Sequence, residues 1–179
     1  MLRIIGYIIG IVVLAVAGIL AVAAFQPDSF RIERSAVIDA PPEKIEAILT
    51  DFRRAKEWSP WEELDPNLQR TIGGAETGVG ATYAWSGNND VGAGRQEITA
   101  VEPGKLVRVN LEFERPMKTV NTVEYSLQPE GDGTKVTWAM FGPQPLIGRA
   151  FGLFMDIDAM VGKDFEKGLS NLKALAEQP

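Results

Sequence analysis

With no histidine and no cysteine among its 179 residues, this chain keeps carboxylate and tyrosine side chains as its first candidates for acid–base chemistry. That composition excludes Ser-His and Cys-His pairs, thiol nucleophiles, disulfides and zinc sites of the usual kind. Carboxylates are densest near the C-terminus, at Asp156, Asp158, Asp164 and Glu166. A helix sends Asp156 and Asp158 to different sides, and Lys163 and Lys167 lie among the others, so the set reads as a solvated face. Glu97 is the other candidate, standing between Gln96 and Ile98. With Ile98 turned to the interior, Gln96 points in and Glu97 out. In the opposite register, or at a bulge, Glu97 becomes a buried carboxylate and an alternative catalytic general base. Metal ligation would need carboxylates alone, in no recognisable loop, so no metal is expected. Gly78-x-Gly80 and Gly92-x-Gly94 lack the strand-loop-helix setting of a phosphate loop and read as turns; no cofactor is expected.

The elements that must hold these groups are strands. From Gln69 to Pro143, extended runs alternate with Gly, Asn, Asp and Pro, the pattern of an antiparallel meander with strands at about 68–73, 80–87, 93–102, 105–114, 118–129 and 134–142. Val107, Val109, Leu111 and Phe113, then Val123, Tyr125 and Leu127, then Val136, Trp138 and Met140 set one apolar face. Arg108, Asn110, Glu112, Glu124, Lys135 and Thr137 set a polar outer one. The same alternation carries Asn121 inward ahead of Val123, and Tyr83 and Trp85 join from an earlier strand. Tyr83, Trp85, Gln96, Asn121, Tyr125, Trp138 and Met140 then make a mostly apolar wall with a few polar atoms, the usual lining of a small-molecule pocket. The plain alternative is that these side chains fill a solid core.

Upstream, Phe30 to Ile38 alternates as a strand in which Arg34 is the one charged residue on the apolar side. Asp39-Ala40-Pro41-Pro42-Glu43 ends it and opens a helix with Ile45, Ile48 and Leu49 on one side, and a second short helix is expected from Asp51 to Lys56. Trp58 and Trp61 flank a Ser-Pro pair in the loop that follows. Two such rings must pack on something; they either gate a cavity or staple the short helices to the sheet. The last long amphipathic stretch, Gly148 to Glu177, is expected as one helix across the sheet, with Phe154, Ile157, Val161, Phe165, Leu172 and Leu175 on its apolar face. Phe151, Phe154 and Met155 at its start suit an adaptable apolar lid or, equally, core.

Ile4 to Phe25 is a run of 22 uncharged residues. At ~1.5 Å per residue it makes a helix of roughly 33 Å, long enough to cross a ~30 Å hydrocarbon core. Ala21-Val22-Ala23 resembles a signal-peptide cleavage site, but the run exceeds the ~7–15 residues of such a region, which favours a retained single-pass anchor. Arg3 on one flank and Arg31, Arg34 and Lys44 on the other do not fix orientation; a short tail before a large domain favours a domain outside the cytoplasm. Gly6-x-x-x-Gly10 is ordinary for a membrane helix. The expected organisation is an anchor and linker over residues 1–27 and one ligand-binding domain over 28–179. With 24 acidic against 18 basic residues and no basic cluster, nucleic acid is not an expected partner.

The element order, with ERSAVIDAPPEKI (33–45), WSPWEELDP (58–66), NTVEYSLQPEGDGTKVTW (121–138) and DFEKGLSNLKALAE (164–177), resembles the START-like, helix-grip (SRPBCC) superfamily, in its polyketide cyclase/dehydrase and lipid transport branch. The likeness covers about residues 30–177. It implies an α+β fold in which a curved antiparallel sheet of about seven strands wraps a long C-terminal helix around an apolar cavity. It also implies binding of a lipid or other hydrophobic small molecule, with Trp58, Trp61, Tyr83, Trp85, Gln96, Asn121, Tyr125, Trp138, Met140, Phe151, Phe154 and Met155 as ligand-binding candidates. The superfamily holds carriers, sensors and cyclases and shares no universal catalytic residues, so no catalytic set is carried over; a cyclase, dehydratase or hydrolase acting in the same cavity is the alternative.

Overall fold

In the computed structural model, which describes residues 2–178, the chain runs α1 (Leu2–Ala24), β1 (Ser29–Ile38), α2 (Pro42–Leu49), a 3-10 turn (Phe52–Arg54), α3 (Ala55–Trp58) and a second 3-10 turn (Pro60–Glu63). Six strands follow, β2 (Gln69–Gly74), β3 (Ala81–Ser86), β4 (Ala93–Glu102), β5 (Leu106–Arg115), β6 (Thr119–Glu130) and β7 (Gly133–Pro143), then α4 (Leu146–Gly152) and α5 (Ile157–Ala176). Met1 and Pro179, the outer ends of the two expected segments, lie outside the described residues. All seven strands form one sheet in the order β1-β7-β6-β5-β4-β3-β2. From β2 to β7 each strand pairs antiparallel with the next, so the meander is built from consecutive hairpins, and β1 lies on the free side of β7.

Two compact units divide the chain. One comprises residues up to Phe30 together with Pro143–Ile157; the other comprises Arg31–Gly142 and Asp158 onward. The second holds the core. Ile98, Val107, Val109 and Val136 from the sheet, Ile45 and Ile48 from α2, and Phe165, Leu169 and Leu172 from α5 are almost wholly buried. Burying each such side chain contributes roughly 1.5–3 kcal/mol, which is what makes sheet and helices obligatory partners. The first unit contains α1, none of whose most apolar stretch is buried, and α4.

The single long helix expected from Gly148 divides in two. Leu153 to Asp156 interrupts it, and Ile157 starts the regular helix, so Phe154 is not part of the buried stripe and is 72% exposed. The apolar residues run on through the break, which is why periodicity alone joins the segments. Arg34, the charged exception on β1, reaches α5. It donates to both carboxylate oxygens of Asp158 at 3.2 and 2.9 Å and to Glu166 at 3.1 Å. Gly162 makes room for it, since a Cβ there would collide with the guanidinium.

Candidate functional site

Successive hairpins bring inward residues into rows across the sheet. Tyr83 faces Gln96, which faces Leu111, which faces Asn121; in the next row Ile98, Val109, Val123 and Met140 follow one another. Beneath these rows a cavity of about 210 Å³ remains, between the sheet, α5 and the short helices. Val109, Leu111, Phe113, Val123, Tyr125, Trp138 and Met140 line it from the sheet, Val161 and Phe165 from α5, and Ile48, Leu49, Phe52, Ala55 and Trp58 from the other side.

Trp138 is the centre of an aromatic cluster. It stacks on Phe165 at 4.3 Å with the planes 7° apart, and Trp58 and Trp61 meet it edge-on at 5.4 and 5.6 Å. Edge-to-face and offset contacts of this kind add ~0.5–1.5 kcal/mol beyond the buried area. Both rings staple the short helices to the sheet, and both line the cavity. Asn171 on α5 donates to the Trp58 carbonyl at 3.1 Å and fixes the end of α3. The indole N–H groups of Trp58 and Trp138 are buried without a hydrogen-bond partner among the described residues, whereas that of Trp85 donates to the Val91 carbonyl at 2.9 Å.

The polar end of the wall is built around Glu62. Its side chain is 7% exposed, accepts a hydrogen bond from the Tyr83 hydroxyl and pairs with Arg70. Arg70 is tied down in turn by donating to the Leu68 carbonyl at 2.8 Å. Burial raises the Tyr83 phenol above the ordinary tyrosine value, and the Glu62 carboxylate beside it adds to the rise. Bonding to Glu62 raises the Arg70 guanidinium. Tyr125, wholly enclosed, is raised by burial alone. Tyr83 and Tyr125 are therefore neutral donors near neutral pH, and Glu62 is a buried acceptor. Asp51, Ser59, Asp90 and Gln96 add further polar atoms to the wall. Among the described residues no three acidic side chains gather as a metal site.

Of the residues singled out from the sequence, Trp58, Trp61, Tyr83, Trp85, Gln96, Tyr125, Trp138 and Met140 lie on the cavity wall. Asn121 is buried in the row expected for it, but its amide rests against Gly142 and its side-chain oxygen has no hydrogen-bond partner among the described residues. Phe151, Phe154 and Met155 belong to the unit that contains α1 and are exposed. Glu97 lies on the outer face, half-exposed, bonded to Arg95 at 3.0 Å. Asp51, Glu62 and Asp90 are the carboxylates on the cavity wall, and the one bonded to a wall tyrosine is Glu62. Its one sequence signal is position: it directly follows Trp61 in a turn opened by Pro60.

A family model described as polyketide cyclase / dehydrase and lipid transport matches residues 29–177. The chain belongs to that family. Solved structures with the same helix-grip fold include a protein from Chromobacterium violaceum, 16% identical, with a TM-score of 0.59 over 86% of this chain and 100% of that one. Ginseng major latex-like protein 151 from Panax ginseng is 12% identical, with a TM-score of 0.59 over 85% of this chain and 100% of its own. The di-domain ARO/CYC StfQ from the steffimycin biosynthetic pathway is 12% identical, with a TM-score of 0.59 over 83% of this chain and 51% of its own. At these identities the likeness is one of fold. No curated protein sequence matches the chain. The family member described here is thus a START-like helix-grip domain that encloses an apolar cavity with one polar end, preceded by an apolar helix.

Proposed function

We propose that this protein binds a compact hydrophobic small molecule between the sheet and α5, in a domain spanning residues 28–179 that the helix within residues 4–25 tethers to a membrane. The observation that carries the reading is the cavity itself, walled by aromatic and branched side chains and polar at the Glu62–Tyr83 end. Ligand pockets of drug-sized molecules run to ~300–1,000 Å³, so about 210 Å³ suits a small, compact ligand and excludes a two-chain lipid without expansion. A ligand with an apolar body and one hydroxyl or amide fits best, the polar group meeting Glu62, Tyr83 or Gln96. The tether keeps the pocket beside the bilayer into which such ligands partition. The domain is assigned to the side opposite the short N-terminal tail, outside the cytoplasm. Native mass spectrometry of the full chain released from detergent tests this. Co-purifying or exchangeable small apolar ligands are expected; none across a metabolite and lipid panel counts against it.

One observation favours a second reading. Glu62 is a shielded carboxylate with a neutral phenol bonded to it, a proton acceptor beside a proton donor that acid–base chemistry on a bound ligand can use. The same ligand, incubated with the protein and recovered, separates the two. Unchanged mass and unchanged chromatographic retention support a carrier; loss of water, or a retention shift at constant mass, that disappears in Glu62→Gln supports an enzyme.

A further inference from the structure

The unit formed by α1 and Pro143–Ile157 contains a surface that ligand binding leaves unexplained. Phe25, just past α1, is 91% exposed, and Phe151 and Phe154 are 58% and 72% exposed. Ile147 and Met155 are exposed as well. Between Pro143 and Met155 the only ionisable residue is Arg149. That one charge is turned away: its guanidinium donates to the carbonyls of Ala24 and Gln26 at 3.3 and 3.1 Å, the carbonyls left unsatisfied where α1 ends. A second tie joins the same places, from the Gln144 amide to the Asp28 carbonyl at 2.7 Å. A short helix followed by a Phe-Met turn is thus fastened to the exit of the apolar span, with its large apolar side chains left bare.

We propose that α4 and the turn after it, Leu146 to Met155, are an interfacial membrane element that inserts its apolar side chains into the bilayer at the level where α1 leaves it. This rests on α1 being a membrane span. Given the span, Ala24 lies at a bilayer surface, and the Arg149 bonds hold α4 at that depth. A segment of this composition then buries its apolar face ~5–10 Å into the boundary between headgroups and acyl chains. Contiguous exposed apolar surface marks an interaction site, and continuity with the span identifies lipid as the occupant. Arg149 satisfies the end of α1, where a cation near a helix C-terminus is favourable.

The cysteine-free chain allows single fluorescent labels on the full-length protein, at Val13→Cys, Ile147→Cys, Phe154→Cys and Asp132→Cys. The protein is reconstituted in phosphatidylcholine–phosphatidylglycerol vesicles containing lipids that carry a quencher either near the headgroup or near the acyl-chain end. The Val13 label should be quenched best from the chain end, the Ile147 and Phe154 labels best from near the headgroup, and the Asp132 label, in the polar β6–β7 turn, by neither. A quenched Val13 label with Ile147 and Phe154 labels untouched by either lipid overturns the interfacial element and leaves the span intact. Quenching at Ile147 and Phe154 that depends on protein density rather than on quencher lipid assigns the surface to a second copy and overturns the proposal. An unquenched Val13 label removes the span, and the proposal with it.

Discussion

Arg70→Met takes away the cation that faces the buried Glu62 carboxylate while keeping a side chain of similar length. Removing one partner of a buried pair costs ~3–5 kcal/mol, because the other charge is left without compensation. Two features reduce that figure here. Arg70 is itself 36% exposed, so water partly replaces it, and the Tyr83 hydroxyl remains bonded to Glu62, a contact to a charged group worth ~1.5–3 kcal/mol. The expected loss is about 2 kcal/mol, a fall in Tm of roughly 4–8 °C for a chain of this size. Thermal and denaturant unfolding of the full chain in detergent, followed by circular dichroism, measures it. The decisive comparison is the double variant Arg70→Met with Glu62→Gln, which removes the stranded charge and should recover at least about 1 kcal/mol of the loss. Additive single effects, or an Arg70→Met variant within ~0.5 kcal/mol of the parent, would show that Glu62 is not the enclosed carboxylate described.

Val123 is 5% exposed and borders the cavity, so Val123→Phe should fill it. Ligand capture in native mass spectrometry should vanish at an overpacking cost of ~1–3 kcal/mol, and undiminished capture would place the ligand elsewhere. A Cβ at Gly168 would lie 2.6 Å from Trp138 Cζ3 and 3.1 Å from Pro60 Cδ, so Gly168→Ala should lower Tm although alanine is the better helix former by ~1 kcal/mol; a higher Tm would contradict the packing. Asp51 accepts hydrogen bonds from the Arg53 backbone and guanidinium at 2.7–3.0 Å, and that side-chain bonding holds its carboxyl below the usual aspartate range. Because the folded value is the lower one, its stabilisation is present above the unfolded value of ~3.9 and is lost as pH falls through the folded value. The free energy of unfolding measured along a falling pH series should therefore drop more steeply for the parent than for Asp51→Asn, and parallel curves would refute this.

The strands were legible because each announces itself twice, by alternation and by the turn residues at its ends. The helix break after Gly152 was not, because Leu153, Phe154 and Met155 continue the apolar run and only burial tells them from core. The site was half legible. Tyr83, Gln96, Tyr125 and Trp138 follow from strand parity, which fixes the face of a residue once one neighbour is known to be inside. Glu62 and Glu63 are adjacent, identical in type and outside any periodic element, yet one is enclosed and the other pairs with Lys167 at the surface. Their residue type does not separate them; the reach of Arg70 and Tyr83, distant in sequence, does. Asn121 shows the limit of parity from the other direction, since facing inward did not bring it to the cavity.

Gly162 and Gly168 are notches in the buried face of α5, filled by the Arg34 guanidinium and the Trp138 ring. Each glycine makes the isolated helix weaker by ~0.5–1 kcal/mol relative to alanine. A helix of 20 residues weakened at two places on the side that meets the sheet draws its stability mainly from tertiary packing rather than from its own propensity. It gains its stability only when strands β1 and β7 present the two side chains that occupy the notches. The sheet and its closing helix are therefore mutually conditional, and the cavity between them exists only in the fully assembled domain.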